Sequence, residues 1–188
     1  YFSQRDNMRK IFFVISNYKD GRQHMFLNHF SPRNKEYAEK HGFEYIVYGP
    51  GGTHPMPHSP RKVVWLRLSL IREMINNGEL KDGDIATHMD ADMCIVRGGV
   101  PFEPAPDKSF AYAIDNGNTH CFALFSMRVN DWTKKLLDNL LDDEFYQAHI
   151  DRPHWQTFQE MASWYTLTGI PTHSWTPFFD LPNYGFHV

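Results

Sequence analysis

Two carboxylates one residue apart are the residues of this chain best suited to chemistry. Asp90 and Asp92 follow a strand-like run at residues 84–89, and a second apolar run, residues 93–96, comes directly after them. Side chains alternate along an extended strand, so both carboxylates are expected to face the same way, whereas Ala91 points back into the fold. Carboxylate oxygens suit Mg²⁺ and Mn²⁺, which neutralise the charge that grows on a departing diphosphate. The pair is therefore a candidate site for a divalent ion and the phosphates that it carries.

Alternating strand and helix patterns place this pair at the edge of a sheet. Apolar runs predict strands at residues 11–16, 44–48, 84–89, 93–96, 109–114 and 121–127. Helical patterns occupy residues 34–41, 60–76, 130–141 and 155–168, and a loop rich in glycine and proline covers residues 49–60. This alternation predicts an α/β sheet with helices on its faces. Ligands of such sheets lie beyond the carboxyl ends of the strands, where Asp90 and Asp92 are expected.

Composition excludes several classes of protein. The chain has 188 residues and 41% hydrophobic content, enough for one substantial core, so we expect a single domain over residues 1–188, which can also be a piece trimmed from a larger protein. A net charge of -3 with scattered cations does not favour nucleic-acid binding. No membrane-spanning run or signal peptide is present, and Cys94 and Cys121 lie in apolar runs. A reducing, cytoplasmic location is therefore expected.

Four segments, in the same order, resemble motifs of the GT-A nucleotide-sugar glycosyltransferases, and within them the GMA12/MNN10-type galactosyl-, mannosyl- and xylosyltransferases. The matching segments are NKEYAEKHGFEY at residues 34–45, Trp65-Leu66-Arg67, Met89-Asp90-Ala91-Asp92, and NTHCFAL at residues 118–124. His120 departs from the glycine of that family's NTG block, and Arg67 from its lysine. The short length is also similar to the compact glycosyltransferase domains of large algal viruses.

The resemblance implies a fold, a reaction and a cofactor. It implies a GT-A type α/β fold, with a mixed, mostly parallel sheet flanked by helices. It implies transfer of a hexose from a nucleoside-diphosphate sugar, a UDP-sugar first, to a carbohydrate or glycoprotein acceptor. Mn²⁺ or Mg²⁺ is the expected cofactor, held by Asp90, Asp92 and a histidine near the C-terminus. His173 and His187 are the candidates, and His187 matches the position better because it comes late, after a proline-containing approach.

Residues after the first predicted strand are expected to meet the nucleotide. Tyr18 can stack on a uracil, a contact that contributes roughly 1 to 3 kcal/mol, and Asn17 or a main-chain group can bind the edge of the base. Arg67, with Arg72 as a weaker candidate, can reach the phosphates or the sugar. The predicted donor-binding residues are Ser16, Asn17, Tyr18, Arg67, Ala91, Asp115 and Asn118.

The sugar and the reaction centre involve residues later in the chain. Asp115 and Asn118 can bind sugar hydroxyls, and Gln159 stands where retaining members of the family place a residue beneath the anomeric carbon. Phe158 provides no carboxylate there, which favours departure and attack on one face of the sugar. A double displacement would need a nucleophile such as Asp151 or Glu160. Both mechanisms remain open, and the predicted catalytic residues are Asp90, Asp92, Asp151 and Gln159.

Two other functions are compatible with parts of the sequence. The histidines His54, His58, His88 and His154 could build a zinc centre for hydrolysis, but their spacing matches no zinc motif. The second alternative is a module that binds a nucleotide sugar or a carbohydrate without catalysis, since a metal-diphosphate site and a stacking aromatic residue would bind without turnover.

Overall fold

The structure, a computed structural model, describes residues 8–114, 120–149, 175–178 and 185–187. Its strands are β1 (Lys10–Ile15), β2 (Glu44–Tyr48), β3 (Ile85–Asp90), β4 (Met93–Ile95), β5 (Phe110–Ile114), β6 (His120–Arg128), β7 (Trp175–Phe178) and β8 (Gly185–His187). Its helices are α1 (Gly21–Met25), α2 (Ser31–Lys40), α3 (Val63–Asn76), α4 (Asp131–Leu140) and α5 (Asp143–His149), and a π-helical turn (Phe26–Phe30) joins α1 to α2. None of the helices within these ranges has the length and apolar character that a membrane span requires.

Six of the strands form one mixed sheet in the order β2, β1, β3, β6, β5, β7. β1 runs parallel to β2 and β3, β7 runs parallel to β5, and β6 is antiparallel to β3 and β5. A small second sheet consists of β4 and β8, which pair antiparallel. The predicted α/β fold, with a mixed, mostly parallel sheet flanked by helices, is confirmed.

The apolar run of β1 is buried on both faces, as expected for a central strand covered by helices. Ile11 and Phe13 pack in the core that includes α3 and α4, whereas Phe12 and Val14 pack in the core that includes α2. Alternate side chains of one strand therefore hold the two helical layers to the sheet.

The first turn of α3 is held in place by α5. The ring of Trp65 packs edge-on against Tyr146, with ring centroids 5.4 Å apart. The main-chain N–H of Lys62 donates to the Tyr146 hydroxyl at 3.1 Å. These contacts position the turn that carries Arg67.

Local signals also explain where α2 ends and α4 begins. Asn130 caps α4, because its side chain accepts from the Thr133 N–H while the Thr133 hydroxyl accepts from the Asn130 N–H. This capping box confirms the predicted cap. Gly42 follows α2 with a φ of 75°, the left-handed conformation that ends helices.

Several short elements were absent from the sequence prediction. The helical stretch from Gly21 to Phe30 has no amphipathic pattern. Asp20 caps its start, because the Asp20 side chain accepts from the Arg22 N–H. β7 and β8 have only four and three residues, too few to show a period. The predicted helix at 155–168 lies outside the described residues.

Candidate active site

The strand order turns back at β1, so the carboxyl ends of β1 and β3 form a topological switch point, which is called the crevice below. β2 and β3 lie on opposite sides of β1. Ile15 pairs with Asp90 in the parallel ladder, so the two strands end at the same edge of the sheet. Ligands of open α/β sheets bind at such a switch point. The predicted place of the two carboxylates, at the tip of a buried strand, is confirmed.

The residues of the D-x-D segment alternate between crevice and core. Asp90 and Asp92 are half-buried, whereas Ala91 is 6% exposed and belongs to the apolar cluster that includes Met89 and Met93. Ala91 points into the fold as expected. A contact between Ala91 and a nucleotide would therefore have to come from its main chain.

Arg67 lies beneath Asp90 and does not project into the crevice. Its Nη1 atom donates to Asp90 Oδ1 at 3.0 Å and to the main-chain oxygen of Phe122 at 2.9 Å. The guanidinium stands 5.6 Å from the ring centroid of Phe125, and Arg67 is only 4% exposed. The arginine orients Asp90 and offsets part of its charge. The contact of Arg67 with the phosphates stays a prediction. Arg72 pairs instead with Asp138 of α4 at 2.6 Å.

His88 fills the space below this ion pair. Its ring stacks on Phe125 and meets Phe13 edge-on, and its Nε2 atom lies 3.8 Å from Asp90 Oδ1. Burial lowers the pKa of His88 well below its usual value, and the positive charge of Arg67 lowers it further. His88 is therefore neutral, and the Asp90 contact at 3.8 Å is not a salt bridge at neutral pH.

Tyr18 follows the end of β1, within electrostatic range of both carboxylates. The pKa of its hydroxyl is raised, mainly by burial and then by the charge of Asp92. Arg22 lowers this pKa, and Asp90 raises it by a smaller amount. The Cζ atom of Arg22 lies 4.8 Å from the centroid of the Tyr18 ring. Asn17, the residue before Tyr18, is exposed. The structure thus brings the predicted nucleotide residues Asn17 and Tyr18 to the D-x-D pair and adds Arg22, which the sequence analysis did not identify.

A wall formed by the loop after β2 closes one side of the crevice. The Ser16 hydroxyl donates to Gln23 Oε1 at 2.5 Å, and the Gln23 amide donates to the main-chain oxygen of Pro50. Gly49 has a φ of 120°, and a Cβ at this position would lie 2.0 Å from the main-chain oxygen of Ser16. Ser16 itself is 1% exposed. The side chain of Ser16 supports the wall, so its predicted contact with the nucleotide would have to come from the main chain and stays a prediction. The glycine-rich run after β2 was the available signal for this close approach.

The residues at the crevice fit a hard divalent cation. Asp90 and Asp92 supply carboxylates, and β8 places the main chain of His187 opposite Met93, the residue after Asp92. Carboxylates with an imidazole suit Mn²⁺. The His187 side chain and His173 lie outside the described residues, and His187 remains a predicted ligand.

A multi-histidine centre does not form in the described part of the chain. The side chains described there include no group of three or more His, Cys, Asp or Glu residues that could hold a metal ion. His54, His58 and His88 therefore do not build the alternative zinc centre. His154 lies outside the described residues, as do four predicted site residues, namely Asp115, Asn118, Asp151 and Gln159.

The comparisons with known proteins identify the fold. No family model and no curated protein sequence matches the chain. Among solved structures, the chain is similar to a glycosyltransferase involved in the glycosylation of the major capsid of PBCV-1, with a TM-score of 0.58 and 10% sequence identity. The similarity covers 92% of this chain and 82% of that one. At this low identity the likeness establishes the fold alone, and it shows that the chain has a glycosyltransferase-like fold of the GT-A type.

Proposed function

We propose that this chain is a metal-dependent glycosyltransferase of the GMA12/MNN10 type, which moves a hexose from a UDP-sugar to a glycan acceptor with retention. The observation that carries the proposal is the placement of Asp90, Asp92 and Tyr18 around one crevice, at the switch point of a glycosyltransferase-like sheet. Carboxylates beside an aromatic residue are suited to a metal-bound diphosphate whose base stacks nearby.

Asp90, Asp92 and His187 are the residues that would hold Mn²⁺ or Mg²⁺. When bound, the ion neutralises negative charge on the diphosphate leaving group. Arg67 offsets part of the charge of Asp90 at a distance of 3.0 Å. Arg67 and the buried ring of His88 keep the Asp90 carboxylate in one orientation.

The nucleotide lies along the end of β1 in this proposal. Tyr18 offers a ring face to the base, and the exposed side chain of Asn17 can bind its edge. The hydrogen bonds that join Ser16, Gln23 and Pro50 limit the space on this side.

The sugar and the acceptor complete the proposal from residues outside the described ranges. Asp115 and Asn118 bind sugar hydroxyls, and Gln159 lies beneath the anomeric carbon. In a front-face reaction the leaving phosphate takes the acceptor proton, whereas a double displacement would use Asp151 or Glu160 as the nucleophile. A glycoprotein glycan is a suitable acceptor, since the structurally similar enzyme takes part in glycosylation of a capsid.

A release assay tests the proposal directly. The protein is incubated with UDP-glucose, UDP-galactose, UDP-xylose or GDP-mannose, with Mn²⁺ or with EDTA, and free nucleoside diphosphate is measured. We expect release with a UDP-sugar in Mn²⁺ and its loss in EDTA. Binding of nucleotide sugars without release, with and without glycan acceptors, would support the non-catalytic binding module. Release unaffected by EDTA would contradict the metal dependence.

A further inference from the structure

Arg22 presents a positive charge at the mouth of the crevice. It lies in α1, and its guanidinium stands over the Tyr18 ring with Cζ 4.8 Å from the ring centroid. Its side chain is 69% exposed. Hydrogen bonds to Asp20 raise the pKa of Arg22, and the charge of Asp92 is one of the smaller causes that raise it further. Tyr18, which the guanidinium covers, comes three residues after Ile15, and Ile15 pairs with Asp90 in the parallel ladder.

The two arginines near the D-x-D pair differ in what they can reach. Arg67 is 4% exposed and donates to Asp90 and to the Phe122 carbonyl, so it serves the protein itself. Arg22 instead reaches solvent beyond the end of β1, the strand that pairs with the D-x-D strand β3. A diphosphate held near Asp92 would carry negative charge toward Arg22, and the planar guanidinium fork binds phosphate oxygens with two hydrogen bonds.

A stronger anion can replace Asp20 as the ion-pair partner of Arg22. Nε of Arg22 lies 3.2 Å from each carboxylate oxygen of Asp20, and Nη2 lies 2.9 Å from Oδ2. Both side chains are exposed, so this ion pair contributes little stability. Asp20 thus keeps the guanidinium near the crevice and can release it to a stronger anion.

We propose that Arg22 is a donor-binding residue that contacts the diphosphate. Before a nucleotide binds, its guanidinium lies on the face of Tyr18. The inference rests on the proposed function, because it takes the crevice as the site of a nucleoside diphosphate. It adds to the D-x-D pair a cation from a different element, the short helix after β1. Movement of the guanidinium from Tyr18 to the phosphates also uncovers the ring face for the base.

The test compares ligands that differ only in their phosphates. Affinities for UDP, UMP and uridine are measured by calorimetry in Mn²⁺ for the wild type, Arg22→Ala, Arg22→Lys and Lys35→Ala. Lys35, exposed on α2, controls for the loss of one positive charge.

If Arg22 makes a charge-assisted contact with the diphosphate, Arg22→Ala should weaken UDP binding roughly 10- to 100-fold and uridine binding by less than about twofold. Arg22→Lys keeps the charge without the fork, so it should lie between Arg22→Ala and the wild type. Lys35→Ala should match the wild type.

Two results would overturn the inference. Unchanged UDP affinity in Arg22→Ala would remove the diphosphate contact, and equal losses for UDP and uridine would assign Arg22 to packing against Tyr18 or the base. Wild-type protein that binds neither UDP nor GDP would instead refute the proposed function, so the two failures are distinguishable.

A further variant tests the role of Asp20, which is to hold the guanidinium and release it to the diphosphate. Asp20→Asn keeps the helix cap and frees the guanidinium. UDP affinity at or above the wild-type value supports this role of Asp20, and a loss as large as that of Arg22→Ala refutes it.

Discussion

The Nη1 atom of Arg67 lies 3.0 Å from the Oδ1 atom of Asp90 and ties the first half of α3 to the tip of β3. One side of the pair is buried, since the Arg67 side chain is 5% exposed and that of Asp90 is 37% exposed. The exposed part of Asp90 faces the crevice end of the strand. The pair therefore anchors Asp90 from its buried side.

Removal of the Arg67 guanidinium should destabilise the fold. In Arg67→Met the buried Phe122 carbonyl and one Asp90 oxygen lose a donor, which predicts a loss of about 1 to 3 kcal/mol in the free energy of unfolding, measured in urea. Arg72→Met is the matched control: its exposed pair with Asp138 predicts a loss below about 1 kcal/mol. Equal losses in the two variants would show that Arg67 does not have this anchoring role.

Asp92→Asn should impair metal binding and donor binding together. The substitution removes one anionic ligand at nearly constant shape, so Mn²⁺ affinity should fall by at least the roughly 10- to 100-fold typical of a lost outer-shell partner, with UDP release falling as well. Calorimetry and the release assay measure the two effects. Asp107→Asn, which changes an exposed carboxylate paired with Lys108, should leave both unchanged. Normal Mn²⁺ affinity in Asp92→Asn would exclude Asp92 as a ligand.

His187→Ala should weaken Mn²⁺ binding by roughly tenfold or more, because an imidazole would be lost from the ligand set. The register of β8 supports this expectation, since His187 pairs with Met93 beside Asp92. Mn²⁺ affinity can be followed by electron paramagnetic resonance. His29→Ala removes an exposed histidine from the π-helical turn and serves as the control. If both variants bind Mn²⁺ as the wild type does, the third ligand is another group.

Burial of His88 should make the fold less stable in acid. Desolvation, with help from Arg67, lowers its pKa in the folded state, so below pH of about 6.5 the unfolded chain takes up a proton that the folded chain does not. His88 should therefore reduce the free energy of unfolding as pH falls, by at most about 1.4 kcal/mol per pH unit.

The measurement compares wild type with His88→Met in EDTA, by urea unfolding between about pH 5 and pH 8. The difference in stability between the two proteins should shift in favour of His88→Met as pH falls below about 6.5. The other histidines are common to both proteins and cancel in this difference. A constant difference over the range would mean that His88 titrates in the folded state as it does in the unfolded chain.

Gly49→Ala should disturb the wall beside the end of β1. The new Cβ would lie 2.0 Å from the main-chain oxygen of Ser16, and the φ of 120° is unfavourable for alanine. We expect a loss of about 1 to 3 kcal/mol in the free energy of unfolding, together with weaker UDP binding. Gly99→Ala, where a Cβ meets nothing within 4 Å, should differ little from the wild type. Wild-type stability of Gly49→Ala would show that the loop can move away without cost.

Local sequence signals determined most of the strands, two helix ends and the place of the D-x-D pair. Apolar runs predicted β1 and β3 because both faces of these strands are covered, and Asn130 predicted the start of α4 because a cap acts within one turn. Asp90 is the last residue of β3 and Asp92 comes two residues later, so their position at the tip of the strand needed no knowledge of distant contacts.

Only the tertiary structure decided which partner each of these residues meets. Arg67 pairs with a residue 23 positions away, and Arg22 covers the ring predicted to stack on a base. Ser16 is buried because the loop after β2 folds over it. Burial and charge pairing depend on elements that are distant in sequence, which no local pattern encodes. The sequence thus identified the carboxylates, and the packing of α1, α3 and the β2 loop around them decided which residues face the crevice.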